Sequence, residues 1–112
     1  MRSVRGRSTQ SLDVMVSTAE YRYIVAEIID APYENSRHKI RARPLPGQWA
    51  GPEYRIECPL SIRKAQNIGQ LYKFWAKFKA PAGNQLFTSY HWTPEQVSSD
   101  QAKKFIEAKQ WW

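Results

Sequence analysis

The residue types best suited to chemistry lie between positions 71 and 80, in the stretch LYKFWAKFKA. In an extended strand successive side chains point to opposite sides, so Lys73, Trp75 and Lys77 share one side. Burying that side would remove ammonium groups from water, which is costly. We therefore predict that Trp75 stands on the outer side, roughly 7 Å from each flanking lysine. The inner side then carries Tyr72, Phe74, Ala76 and Phe78.

An aromatic ring between two cations is suited to binding single-stranded nucleic acid. Bases stack on such a ring with about 1–3 kcal/mol each, and the cations contact phosphates. Residues 37–43, RHKIRAR, also alternate and present a basic outer row. Trp49 lies in a loop rich in proline and glycine, residues 44–54, and would add a contact from that loop. The predicted nucleic-acid-binding residues are Lys39, Arg41, Arg43, Trp49, Lys73, Trp75 and Lys77.

Each of these residues also has a structural interpretation. An outward Trp75 is often covered by a loop, by a terminal helix or by a second copy of the chain. Trp49 would plug the mouth of a barrel instead of touching a ligand. The basic residues would keep the exposed side of a sheet soluble and its edges unpaired. These alternatives stay open at the level of sequence.

The positive charge is concentrated in the centre of the chain. The net charge is +7 over 112 residues. Residues 36–80 contain ten lysines and arginines against only Glu53 and Glu57, a local balance of +8. A local excess of this kind attracts polyanions. Charge therefore supports a polyanion such as nucleic acid as the partner, and the aromatic residues favour single-stranded DNA or RNA.

The sequence carries no catalytic signature. His38 and His91 are too few and too isolated for a metal site. Cys58 has no neighbouring base, so we expect a buried and inert thiol. We predict a binding protein without catalytic residues, cofactor or metal. An enzyme whose site is assembled from distant acids, or from His91 and a carboxylate, is the alternative.

Seven prolines divide the chain into short segments, which argues against long helices in its centre. The expected order is strand, strand, strand, short helical turn, strand, strand and helix. This order matches the layout of a small five-stranded barrel of the oligonucleotide/oligosaccharide-binding type. We predict an α+β, β-rich fold: an antiparallel barrel of this type or a curled sheet. The segments are 20–30, 37–43, 54–58, 61–69, 71–80 and 86–92, followed by the C-terminal helix.

The last of these strands can be oriented only by burial. Burial favours Leu86, Tyr90 and Trp92 on the inner side. A slip of one residue would exchange the two rows. In the favoured register, the residues that join Trp75 on the outer side are Phe87, Ser89 and His91.

The C-terminal segment has the pattern of an amphipathic helix. Thr93 to Gln96 and Ser98 to Gln101 both resemble capping boxes. We favour the second, with a turn before it and a helix over about residues 98–110. Trp111 falls on the polar side of that helix.

Length and composition indicate one domain, residues 19–112, preceded by a flexible basic arm, residues 1–18. The single cysteine suggests a reducing compartment, and we expect a cytoplasmic protein. No apolar stretch is long enough to span a membrane. The alternative function is a protein-interaction or homo-oligomeric module without catalytic activity, whose exposed tryptophans are buried between subunits.

Overall fold

The computed structural model describes residues 20–79, 83–89 and 91–112. The predicted N-terminal arm lies outside these residues. Within them the chain forms six strands, a 3-10 turn at Ala65–Asn67 and one helix, α1, at Ser99–Ala108. The strands are β1 Arg22–Asp30, β2 Ile40–Pro44, β3 Arg55–Glu57, β4 Leu71–Phe78, β5 Gln85–Thr88 and β6 Glu95–Val97.

The first five strands close into a barrel in the order β1-β2-β3-β5-β4, with β4 pairing back onto β1. The predicted β-rich α+β barrel is confirmed, in its closed form. One detail differs from the prediction, since β3 and β5 run parallel while the other neighbours are antiparallel. β5 lies between β3 and β4 in the sheet and is antiparallel to β4, so it runs in the same direction as β3.

The barrel is filled by the row of β4 that the alternation assigned to the inside. Phe74 and Ala76 are fully buried and Tyr72 nearly so, while Phe78 packs against the core. Small alanines alternate with larger side chains, which lets a narrow barrel close. The other core residues are Ile24, Ala26, Ile28, Ala42, Ala50, Ile56, Cys58 and Leu86.

The segment after β5 differs from its predicted form. Leu86 is inside, as expected, whereas Tyr90 lies outside the described residues. Trp92 was predicted inside and is in fact 42% exposed. The prediction was wrong because β5 ends at Thr88 and the chain turns, with the Trp92 N–H donating to the Ser89 carbonyl at 3.1 Å. A turn abolishes the alternation on which the prediction rested.

Helix α1 begins where the second capping box predicted. Ser98 and Gln101 exchange both hydrogen bonds of the box. The helix ends at Ala108 because Lys109 adopts the left-handed conformation, with φ of 55°. The first candidate box instead leads into β6, which pairs with the start of β4.

Because the helix ends early, Trp111 is not on its polar side. The Trp111 carbonyl accepts a hydrogen bond from the Tyr23 N–H, and its ring lies 5.3 Å from that of Phe105. The C-terminal residues thus cover part of the edge of β1. Among the described residues, no helix is long and apolar enough to cross a membrane.

Candidate nucleic-acid interface

Five aromatic rings and two lysines meet on the outside of β1, β4 and β5. We call this the aromatic surface; it consists of Tyr21, Tyr23, Trp75, Phe87, Trp92, Lys73 and Lys77. The strand register creates it, because Tyr23 lies opposite Trp75 and Lys77 lies opposite Phe87. Side chains that are opposed on one face of a sheet are in contact.

Trp75 is the centre of the aromatic surface. Its ring centroid lies 4.5 Å from that of Tyr23 and 5.8 Å from that of Trp92. Tyr21 is nearly parallel to it at 6.1 Å. The predicted outward position of Trp75 is confirmed, but neighbouring rings cover part of it. Trp92 is the ring that offers most area to a ligand.

The two lysines lie over rings of the same surface. Lys77 Nζ is 4.9 Å from the Tyr21 centroid and 5.4 Å from the Phe87 centroid. Lys73 Nζ is 5.0 Å from the Tyr23 centroid and 3.6 Å from a carboxylate oxygen of Glu95. No carboxylate of the described residues forms an ion pair with Lys77. The spacing predicted that both cations flank Trp75, whereas the rings over which they lie are those of its neighbours Tyr21, Tyr23 and Phe87.

The basic row predicted on β2 does not form an exposed track. Arg41 was expected outside, but its side chain is only 10% exposed and its Nη1 contacts Glu34 Oε1 at 2.8 Å. The loop between β1 and β2 folds over β2 and brings Glu34 there. Arg55 binds the same carboxylate, with Nη2 to Oε2 at 2.6 Å. We call Glu34, Arg41 and Arg55 the Glu34 cluster.

The arginine–carboxylate contacts lower the pKa of Glu34, and the hydrogen bond from Arg55 is the main cause. Glu34 therefore stays ionised at a lower pH than an ordinary glutamate does, and its single negative charge is shared by two guanidinium groups. The other two members of the predicted row lie apart from the cluster side chains. Lys39 is exposed and donates to the Glu34 carbonyl, and Arg43 is 3.5 Å from Glu27.

Trp49 plugs the end of the barrel, which is the structural one of the two interpretations given for it above. Its Nε1 donates to the Tyr23 carbonyl at 2.8 Å, and its ring packs on edge against Phe78 at 5.4 Å. The Arg22 guanidinium lies over the ring at 4.0 Å. Burial lowers the pKa of Arg22, and nearby Glu20 opposes this effect. Trp49 thus belongs to the barrel end and not to the aromatic surface.

Sequence reasoning missed Tyr21, Tyr23 and Trp92. The two tyrosines lie on the row opposite Ile24 and Ala26, which fill the core, but both rows of β1 carry charged residues, so alternation alone did not orient them. An outward Trp92 was expected only in the slipped register, and its actual position depends on the turn after β5. Phe87 was expected beside Trp75 and lies there, 6.3 Å from Tyr21.

The remaining reactive residue types do not assemble into a second site. Cys58 is buried, and burial raises the pKa of its thiol to about 11. A neutral thiol of this kind is a poor nucleophile at neutral pH. In the described part of the chain, no three side chains of histidine, cysteine, aspartate or glutamate are grouped to hold a metal ion.

Models of protein families, curated proteins and solved structures show no match to this chain. A fold hosts many functions, so the barrel alone does not identify one. Function must be inferred from the chemistry of the surfaces.

Proposed function

We propose that this protein binds single-stranded nucleic acid through the aromatic surface. The observation that carries the proposal is the grouping of rings and cations around Trp75, with Trp92 42% exposed beside it. Stacking on rings is tolerant of sequence, because every base has an aromatic face. The two lysines supply the charge that phosphates require.

The preference for single strands follows from access to the bases. In a duplex the faces of the bases are stacked on one another, whereas a single strand offers them to a protein ring. A ring on the protein surface, such as that of Trp92, can stack only on an unstacked base. The aromatic surface therefore favours an unpaired strand.

The contacts that Lys73 and Lys77 make support the same proposal. A ring attracts a cation through its quadrupole and leaves the net charge in place. A phosphate can therefore approach Lys77 without first displacing a carboxylate. Lys73 has Glu95 as a partner at 3.6 Å, but that carboxylate is largely exposed, so displacing it costs little.

Replacing Trp92 tests the proposal, since this ring is exposed and contributes least to the core. We expect Trp92→Ala to weaken binding of a dye-labelled thymidine oligomer of about 10 nucleotides by roughly 5-fold to 100-fold. Fluorescence anisotropy at about 50 mM salt measures this. The matched control is Tyr33→Ala, which removes a ring that is 99% exposed on the β1–β2 loop. No binding by the wild type, or equal losses in both variants, would refute the proposal.

A second function, self-association, is favoured by a different observation. Trp92 and Trp112 are both exposed, the latter by 67%, and tryptophan is enriched at the centres of protein interfaces. Sedimentation velocity at micromolar concentration separates the two functions. A dimer that dissociates on Trp92→Ala would assign the aromatic surface to a subunit interface, and a strict monomer would exclude that assignment.

A further inference from the structure

A pocket of about 580 Å³ lies on the outer wall beside the aromatic surface. It is formed by the β1–β2 loop, Arg41 of β2, the end of β3, the segment after β3, the residue that follows β4 and the start of β5. We call it the cationic pocket. The charged residues that line it are Arg37, Arg41, Arg63, Lys79 and Glu57.

Two guanidinium groups in the cationic pocket have a buried N–H without an acceptor. These are Nε of Arg41 and Nε of Arg63, and neither has a hydrogen-bond partner among the described residues. The Arg41 side chain is nine-tenths buried. More than nine in ten buried polar groups in proteins are satisfied, and an unsatisfied charged donor is costly. Gln85 Oε1, an acceptor on another lining residue, is also buried without a partner, so the pocket holds two donors and one acceptor that a group from outside the chain would satisfy.

The charge of the cationic pocket specifies an anion. Four basic side chains face one acidic side chain, Glu57, which is bound by Lys79 at 2.8 Å. Arg41 has a partner of its own, since its Nη1 contacts Glu34. In the described residues neither Arg37 nor Arg63 forms an ion pair. The excess positive charge is therefore borne mainly by these two residues.

We propose that the cationic pocket binds a phosphate group. A phosphate offers acceptor oxygens in several directions, whereas the two oxygens of a carboxylate lie in one plane. Guanidinium groups that approach from different elements, here β2 and the segment after β3, suit the former. Phosphate binding in the pocket is independent of the proposed function. Only the identity of the molecule that carries the phosphate, a nucleic-acid strand or a free anion, rests on that function.

The strand register connects the cationic pocket to the aromatic surface. Lys77 on β4 is opposite Phe87 on β5, and Phe87 is opposite Glu57 on β3. Neighbouring strands lie about 4.8 Å apart, so Lys77 and the pocket residue Glu57 are roughly 10 Å apart. A strand stacked on the aromatic surface can thus place a phosphate in the pocket.

Arg63→Met tests the proposal and keeps an aliphatic side chain in place. Arg41 is unsuitable, because it also holds Glu34. Calorimetry with inorganic phosphate, and anisotropy with a thymidine oligomer with or without a 5′-phosphate, measure binding. We expect Arg63→Met to bind each probe that the wild type binds with an affinity lower by about 10-fold or more. The matched control, Lys104→Met on an exposed turn of α1, should lose little.

The source of the phosphate follows from which probe is affected. Equal losses for both oligomers assign the pocket to a backbone phosphate, and a loss confined to the phosphorylated oligomer assigns it to a strand end. A third outcome is that inorganic phosphate binds the wild type but not Arg63→Met, and that neither oligomer binds the wild type. This outcome supports phosphate binding in the pocket and refutes the proposed function. Unchanged affinity for every probe, or no binding of any probe, overturns the proposal.

If Arg63→Met does not fold, Arg37→Met replaces it, because Arg37 is exposed. We expect Arg37→Met to lower the affinity about 3-fold, and an unchanged affinity for every probe again overturns the proposal.

Discussion

The aromatic surface and the Glu34 cluster both hold cations on the outer wall of one barrel, but they do so differently. On the aromatic surface, Lys77 Nζ lies 4.9 Å from the Tyr21 ring. In the Glu34 cluster, a single carboxylate contacts Arg41 at 2.8 Å and Arg55 at 2.6 Å. A ring leaves the positive charge in place, while a carboxylate neutralises one unit of it.

The difference separates a stabilising region from a binding region. The Glu34 cluster ties the β1–β2 loop to β2 and β3, because Glu34 is on the loop and its partners are on the strands. The aromatic surface keeps its cations beside rings that a ligand can reach. We therefore expect substitutions in the cluster to change mainly stability, and substitutions at Lys77 or Trp92 to change mainly binding.

The largest effect on stability within this comparison is expected from Glu34→Gln. Loss of the charge leaves two largely buried guanidinium groups without their anion, and we expect the free energy of unfolding to fall by about 2 kcal/mol. Urea unfolding at neutral pH measures this. Glu107→Gln, on the exposed side of α1, is the control and should stay within about 0.5 kcal/mol of the wild type. Equal effects of the two substitutions would show that the cluster does not stabilise the fold.

A smaller effect is expected from acid on the wild-type protein. The pKa of Glu34 is lowered in the folded state, chiefly by Arg55, so the unfolded chain binds the proton more readily. The stabilisation is complete above the ordinary glutamate pKa of about 4.3 and is lost as the pH falls through the lowered value. Urea unfolding at about pH 6 and about pH 3 should show the wild type approaching Glu34→Gln in acid. If the difference in unfolding free energy between the wild type and Glu34→Gln does not shrink in acid, the ionised Glu34 is not the source of this stabilisation.

The smallest effect on stability is expected from Lys77→Met. A cation over a ring at a partly exposed site contributes about 0.5–1 kcal/mol, so unfolding should change by no more than that. The salt dependence of binding should become weaker. The slope of the logarithm of the binding constant against the logarithm of the salt concentration should fall in magnitude by about 0.7 for one lost phosphate contact. Anisotropy titrations of the thymidine oligomer across a salt series measure the slope, with Lys104→Met as the control. A stability loss as large as that of Glu34→Gln would remove the distinction between the two regions.

Much of the barrel was predictable because alternation and solvation act on adjacent residues. The rows of β4 were assigned correctly, since three lysines cannot share a side with the core. The capping box at Ser98 placed the start of α1, because its hydrogen bonds are local. The same local reasoning does not orient β1, because one of its rows carries Arg22 and Asp30 and the other carries Glu27. At the site, it brought Lys73, Trp75, Lys77 and Phe87 to one surface.

The failures involve residues whose surroundings come from elsewhere in the chain. Arg41 is buried because a loop returns over β2 and supplies Glu34. Trp92 joins the aromatic surface because a turn ends the alternation after Thr88. The parallel pairing of β3 with β5 joins residues that are far apart in the chain, such as Arg55 and Gln85.

The sequence by itself determined which side of β4 is apolar, where the helix begins and where positive charge accumulates. Only the tertiary structure decided which cations remain available, because a carboxylate 21 residues away in sequence from Arg55 reaches its partner only where the β1–β2 loop folds against β2 and β3. It also decided which rings meet around Trp75, since pairing across strands is set by register. Local preferences act through neighbouring atoms, whereas a binding surface is made by contacts between distant segments.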